Sequence, residues 1–106
     1  MINIRFLKNG GCYRSFEVSG HAGYAEKGSD IVCAAVSSSV QLAINTFTDV
    51  MELPAETQVE ENRIAFAVKT DEPAAQQLME GLYRHMSLLS EDYPQNVRVK
   101  VTNRNA

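Results

Sequence analysis

Two residues with nucleophile and base chemistry, His21 and Cys33, flank a segment of this chain that is punctuated by glycines. Cys33 is predicted in the first turn of a long helix, where unpaired N–H groups and about half a unit of positive charge favour a thiolate over a thiol. The segment from His21 could fold back and bring its imidazole near the sulfur. A Cys–His pair supplies a nucleophile and a base, the minimum for acyl transfer through a thioester.

The neighbours of this pair could assist it. Free backbone N–H groups near Cys33 could bind a developing oxyanion. Ser37 lies four residues after Cys33 and therefore shares its helix face, from which it could orient His21 or fix a water. Asp30 could cap the helix or steer His21, and Ser29 is the other candidate for the cap. The residue pattern leaves the roles of Asp30 and Ser37 open.

Structural explanations compete with this chemistry. Cys33 could be an inert core thiol, because cysteine is often fully buried and residues 31–36 are apolar, and His21 could be an ordinary loop histidine. We interpret Cys12 as structural and His85 as solvated or packed in a helix. The histidines and cysteines lack the paired spacings of zinc modules, and the chain has neither Cys-x-x-Cys nor a phosphate-binding GKS or GKT. The sequence therefore predicts no metal site and no cofactor.

The elements that must position these residues follow the order β-β-α-β-β-α-β. A helix from the candidate cap to Pro54 and another from about Glu72 show apolar residues at helical spacing. Between the second strand and the first helix lies the glycine-punctuated loop, Gly20 to Ser29. Hairpins favour a mainly antiparallel sheet with two helices on one face, an α+β two-layer sandwich. Alternating residues and turn signals place the strands at about 2–7, 13–19, 57–59, 64–68 and 97–101.

Composition limits the class of protein. The 106 residues, of which 44% are apolar and 22% charged, predict a single domain over 1–106. A net charge of -3 argues against direct nucleic-acid binding but leaves a basic partner open. We expect neither a signal peptide nor a membrane span, since no window approaches roughly 18 apolar residues. A cytoplasmic protein with reduced thiols is the resulting expectation.

Three features combine here: Gly20-His21-Ala22, Gly28 with Asp30-Ile31-Val32-Cys33-Ala34, and Ser37. Through them the chain resembles the ribosomal-processing cysteine proteases, called Prp, of Firmicutes and their relatives. This resemblance implies a small homodimeric α+β protease with Cys33 as nucleophile and His21 as base, supported by Asp30 and Ser37. It also implies a flexible loop that closes over substrate, here the segment with Gly20, Gly23 and Gly28. The implied substrate is the N-terminal extension of a large-subunit ribosomal protein precursor.

Two other functions remain open. The first is a non-catalytic ribosome-associated or assembly module that holds a basic peptide with the same loop and helix end. The second is a structural protein with a buried thiol. The enzyme is favoured because a binding module has no need of His21 beside a thiol at a helix start. A homodimer is favoured by the second helix, where Leu82, Leu88 and Leu89 spread over more than one stripe.

Overall fold

A computed structural model describes residues 1–26 and 30–104 of the chain. Its strands form one sheet in the order β3-β4-β2-β1-β5, in which β1 and β5 run parallel and the other neighbours antiparallel. The predicted α+β order is confirmed, and the parallel pair makes the sheet mixed. The elements are β1 Ile2–Asn9, β2 Cys12–Gly20, α1 Ile31–Asn45, a π-helical turn Thr46–Val50, β3 Ala55–Glu60, β4 Arg63–Val68, α2 Pro73–Asp92 and β5 Val97–Arg104.

The β1–β2 hairpin turns on two glycines. Gly10 and Gly11 have φ values of 60° and 85°, and these positive angles suit a two-residue turn that matches the twist of its strands. The register that follows pairs Phe6 with Phe16 and Ile4 with Val18. These four side chains therefore lie on one face of the sheet.

A single core lies between this face of the sheet and both helices. Four phenylalanines fill its centre, and Phe16 and Phe47 each pack against the ring of Phe66, with centroids 5.3 and 5.2 Å apart. Because the buried side chains of α1 and α2 belong to the same cluster, both helices cover one face, as predicted. The helical contribution consists of Val32, Val36, Val40, Ala43, Ala75, Met79, Leu82 and Met86.

The first helix does not continue to Pro54 as the sequence suggested. Regular α-helix ends at Asn45, and a π-helical turn follows to Val50, closed by a hydrogen bond of 2.8 Å from Met51 N to Thr46 O. The Thr48 hydroxyl donates to the Ile44 carbonyl, a side-chain bond of the kind that loosens a helix ladder. The π turn keeps Phe47 fully buried.

The stretch Ile31–Val50 is apolar enough, with a mean hydropathy of 1.4, and long enough to cross a membrane. The expectation that no window approaches roughly 18 apolar residues did not anticipate this stretch, which reaches its mean hydropathy although it includes Ser37, Ser38 and Ser39. The same stretch packs Val32, Val36, Val40 and Phe47 into the core, which accounts for its apolar composition. The core helix of a small α+β protein can reach this mean hydropathy because its buried side must be apolar.

Candidate active site

The end of β2 delivers His21 to the site. Gly20, the last residue of that strand, has a φ of 88°, and a Cβ atom there would overlap the Met1 carbonyl oxygen. Only glycine fits this close approach without a shift of the neighbouring backbone. The nitrogen of Met1 donates to the His21 carbonyl, and Gly20 N donates to Asn62 O at 3.1 Å. The backbone of His21 is thus fixed just beyond the end of the central strand β2 while its side chain is exposed.

The thiol of Cys33 accepts a hydrogen bond from the residue that follows His21. Ala22 N–H donates to Cys33 Sγ at 3.3 Å, and Ala22 itself is only 2% exposed. A hydrogen bond to sulfur favours the charged form of a thiol, because the thiolate is the stronger acceptor. Within the described residues the His21 imidazole makes no hydrogen bond to Sγ. The structure therefore brings His21 and Cys33 to one place without a direct bond between them.

Asp30 is the N-cap of α1 and also holds the loop. Its Oδ1 accepts from Val32 N and Cys33 N at 3.0 Å each, and its Oδ2 accepts from Tyr24 N at 3.1 Å and Ala25 N at 3.4 Å. The hydrogen bond from Cys33 N–H, followed by those from the other three donors, lowers the pKa of Asp30 although its burial opposes this. The carboxylate therefore remains charged near neutral pH and fastens residues 24–25 to the helix start.

This cap contradicts one expectation from the sequence. The N–H groups near Cys33 were expected to be free for an oxyanion, but Val32 and Cys33 donate theirs to the Asp30 carboxylate. Ala34 donates its own N–H to the Asp30 carbonyl at 3.1 Å. Capping satisfies the donors that a helix start leaves open, so they are not available to substrate in this arrangement.

An open cleft of about 590 Å³ contains Cys33 and His21. Ser37 lines the same cleft, one helical turn beyond Cys33, and Asp30 lies at its base. On the opposite side the β3–β4 hairpin contributes Arg63, which forms ion pairs with Glu17 at 3.1 Å and Glu60 at 3.4 Å. The apolar part of the wall consists of Ile2, Val18, Val36, Val59 and Ile64. The cleft can therefore receive an apolar side chain next to the thiol.

Only some of the other candidate residues line this cleft. Gly20 and Gly23 line the cleft, whereas Gly28 lies outside the described residues. Cys12 begins β2 and is a free, half-buried thiol, and His85 lines a different groove between α1 and α2. Residues 1–26 and 30–104 contain no group of three His, Cys, Asp or Glu side chains that could hold a metal ion.

Sequence reasoning missed Asn96, which lies in the connection between α2 and β5. Its Nδ2 donates to the Ala22 carbonyl at 2.9 Å. No local pattern pointed to it, because 74 positions separate the two residues and the pairing depends on the parallel return of β5.

Comparison with known families identifies relatives with this arrangement of elements. The model of the family described as Cysteine protease Prp matches residues 1–98. A ribosomal processing cysteine protease Prp from Bacillus subtilis (strain 168) is 34% identical over 92 residues, which cover 80% of this chain and 82% of the relative.

Solved structures show the same fold. A crystal structure of SMU.848 from Streptococcus mutans matches with a TM-score of 0.88 and 29% identity, and the match covers 98% of this chain and 96% of that one. A ribosomal processing protease Prp from S. aureus, in complex with a covalently linked product peptide, matches with a TM-score of 0.91 and 23% identity. This second match covers 96% of this chain and 100% of that one.

Proposed function

This chain belongs to the cysteine protease Prp family, and we propose that Cys33 is its nucleophile and His21 its general base. The single observation that carries the assignment is the hydrogen bond from Ala22 N–H to Cys33 Sγ, because it joins the thiol to the segment that presents His21. Asp30 supports the pair by fixing both the helix start and the loop. Ser37 supports it from the next turn of α1, where it faces the same cleft.

The proposed reaction is hydrolysis of a peptide bond in two steps. His21 takes the thiol proton, and the Cys33 sulfur attacks the scissile carbonyl carbon to form a tetrahedral adduct. Collapse of the adduct breaks the C–N bond, and the imidazolium returns its proton to the leaving amine. Water, deprotonated by His21, then hydrolyses the thioester and regenerates the thiol. The imidazole and sulfur must approach each other when substrate binds, as catalytic contacts often do.

The proposed substrate is the N-terminal extension of a large-subunit ribosomal protein precursor. The relative from Bacillus subtilis is named for ribosomal processing, and S. aureus Prp has been crystallised with a substrate peptide. The apolar wall of the cleft and the net charge of -3 suit a peptide that combines large apolar side chains with basic residues. We place this reaction in the cytoplasm, in one catalytic domain that spans 1–106, and expect the protein to act as a homodimer.

Cleavage of a synthetic peptide that spans the extension junction tests the assignment. We expect the wild-type protein to cut this peptide and Cys33→Ser to lose at least about 1,000-fold in rate, because an alcohol lacks the thiolate nucleophile. Cys12→Ser is the matched control and should cut normally. Normal cleavage by Cys33→Ser would remove Cys33 from the mechanism. Stoichiometric peptide binding without any product would favour the non-catalytic module.

A further inference from the structure

The connection between α2 and β5 acts as a platform for the segment that carries His21. Asn96 N donates to Tyr93 O at 3.0 Å, and Ile2 N donates to Asn96 O at 2.8 Å, so the backbone of Asn96 is tied to both the helix end and β1. From this fixed position its side chain donates to the Ala22 carbonyl. Tyr93 in the same connection packs edge-on against Tyr24, with ring centroids 5.5 Å apart.

Both peptide groups of Ala22 are therefore held. The group before it is held at the His21 carbonyl by the nitrogen of Met1, and the group after it is held at its carbonyl by Asn96. Gly20 and Gly23, with φ values of 88° and 70°, flank the two residues whose carbonyl groups accept these bonds. Glycine permits wide backbone rotation, so the direction of the Ala22 N–H depends on the anchors rather than on the chain itself.

We propose that Asn96 is a positioning residue that aims the Ala22 N–H at Cys33 Sγ and thereby favours the thiolate. This inference rests on the proposed function, in which Cys33 is the nucleophile. Asn96 is not among the described residues that line the cleft, and its proposed action passes through the Ala22 backbone. Without its amide, the peptide group after Ala22 loses its anchor next to Gly23 and the Met1 nitrogen alone holds the group before it, so the N–H···S bond of 3.3 Å weakens.

The pH dependence of Cys33 alkylation measures this effect directly. In a Cys12→Ser background Cys33 is the one remaining cysteine of the chain, so iodoacetamide reports on it alone. For Asn96→Ala we expect the midpoint of the rate profile to move to higher pH and the rate at pH 7 to fall about three- to tenfold, the size of one lost hydrogen bond. At high pH, where the thiol is fully ionised, the two proteins should react at similar rates.

Two further variants separate positioning from folding. Asn96→Asp keeps the shape of the side chain but cannot donate to the Ala22 carbonyl, so it should reproduce the shift. Asn45→Ala, an exposed asparagine at the end of α1, is the matched control and should keep the wild-type profile. A wild-type profile in Asn96→Ala or Asn96→Asp, with circular dichroism showing a folded protein, would overturn the inference.

The proposed function fails in a different way. If the wild-type protein does not cut the junction peptide, the protease assignment falls, while the alkylation profiles of the Asn96 variants still decide whether Asn96 acts on the thiol. If the wild-type protein cuts the peptide and both Asn96 variants show the wild-type alkylation profile, the assignment stands and the positioning role is overturned.

Discussion

Asp30 combines two tasks in one side chain, since each of its carboxylate oxygens serves a different segment. Oδ1 caps α1 at Val32 and Cys33, and Oδ2 holds the backbone of Tyr24 and Ala25. The charged form serves both tasks at once, because protonation turns one of the two acceptor oxygens into a hydroxyl donor and leaves a single strong acceptor. The start of α1 and the loop before it are therefore coupled through the ionisation of a single residue.

Replacement of Asp30 should lower stability in a pH-dependent way. The pKa of Asp30 lies below its ordinary value of 3.8, so its contribution is complete above that value and disappears as the pH falls through the lower, folded-state pKa. At pH 7 we expect Asp30→Ala to lower the melting temperature by roughly 4–8 °C, as loss of a helix cap does. The difference from wild type should shrink below about pH 4.

Asp30→Asn separates the two tasks. Asparagine caps helices about as well as aspartate, but it offers one acceptor oxygen in place of two. This variant should keep most of the stability of α1, lose the bonds to Tyr24 and Ala25, and remove the acid dependence. Thermal melts from pH 2 to pH 7 check all three, and a wild-type acid profile in Asp30→Asn would contradict the role of the carboxylate.

At the scale of elements, the end of β2 shows how a strand can position a site. Gly20 still pairs with Ile2 across the sheet, yet its positive φ turns the chain toward the cleft immediately before His21. Gly23 ends the short segment that reaches Sγ, and an added Cβ atom there would meet open space. The two glycines share a left-handed backbone but differ in their surroundings.

Because of this difference, alanine should lower the free energy of unfolding by different amounts at the two positions. Gly23→Ala should lose about 1 kcal/mol in the free energy of unfolding, the strain of a left-handed alanine. Gly20→Ala should lose about 3 kcal/mol or more, because its methyl group also displaces the Met1 carbonyl. Urea denaturation measures both, and cleavage assays should show a larger loss for Gly20→Ala. Equal unfolding free energies would contradict the importance of the close approach.

Local signals made much of this fold and site predictable from sequence. The helix predicted from about Glu72 begins at Pro73, and of the two cap candidates of α1 the structure shows Asp30 in that role, each feature depending on a few neighbouring residues. The long-range features were not predictable. The parallel pairing of β1 with β5 and the bond from Asn96 to Ala22 arise only when distant segments meet.

The prediction that N–H groups near Cys33 are free to bind an oxyanion was wrong for a related reason. Helix geometry correctly predicted that N–H groups around Cys33 have no partner within the helix, but whether a cap or a ligand accepts from them depends on where the Asp30 side chain points. The structure gives those donors to Asp30. A sequence motif indicates which residue types lie near a site. Which acceptor takes a given N–H group depends on three-dimensional packing.

At the scale of the whole molecule, apolar side chains remain on the outside of the helical layer. Leu42 on α1 is 69% exposed and Leu88 on α2 is 45% exposed. A groove of about 380 Å³ between the two helices is lined by Leu42, Leu78 and Leu82 among others. Surfaces of this kind are common where one chain packs against another, which supports the proposed homodimer.

Light scattering tests the dimer. At micromolar concentration we expect a mass of about twice the 11.7 kDa of the chain. Leu42→Glu should shift the protein toward the monomer, because an interface would bury an unpaired carboxylate. Val59→Glu, at a similarly exposed residue on the edge strand β3, should leave the mass unchanged. A wild-type mass near that of one chain would exclude the dimer.

The parallel pairing of β1 with β5 sets an order of assembly during synthesis. Ile2 pairs with Val97, so β1 gains this neighbour only after β5, which is translated much later, has been made. Until then the edge of β1 that pairs with β5 has no neighbour. The hydrogen bond from Asn96 to the Ala22 carbonyl is also missing, although His21 and Cys33 have already been translated. Contacts so distant along the chain close slowly. The arrangement around Cys33 is therefore complete only in a chain that has been translated through β5.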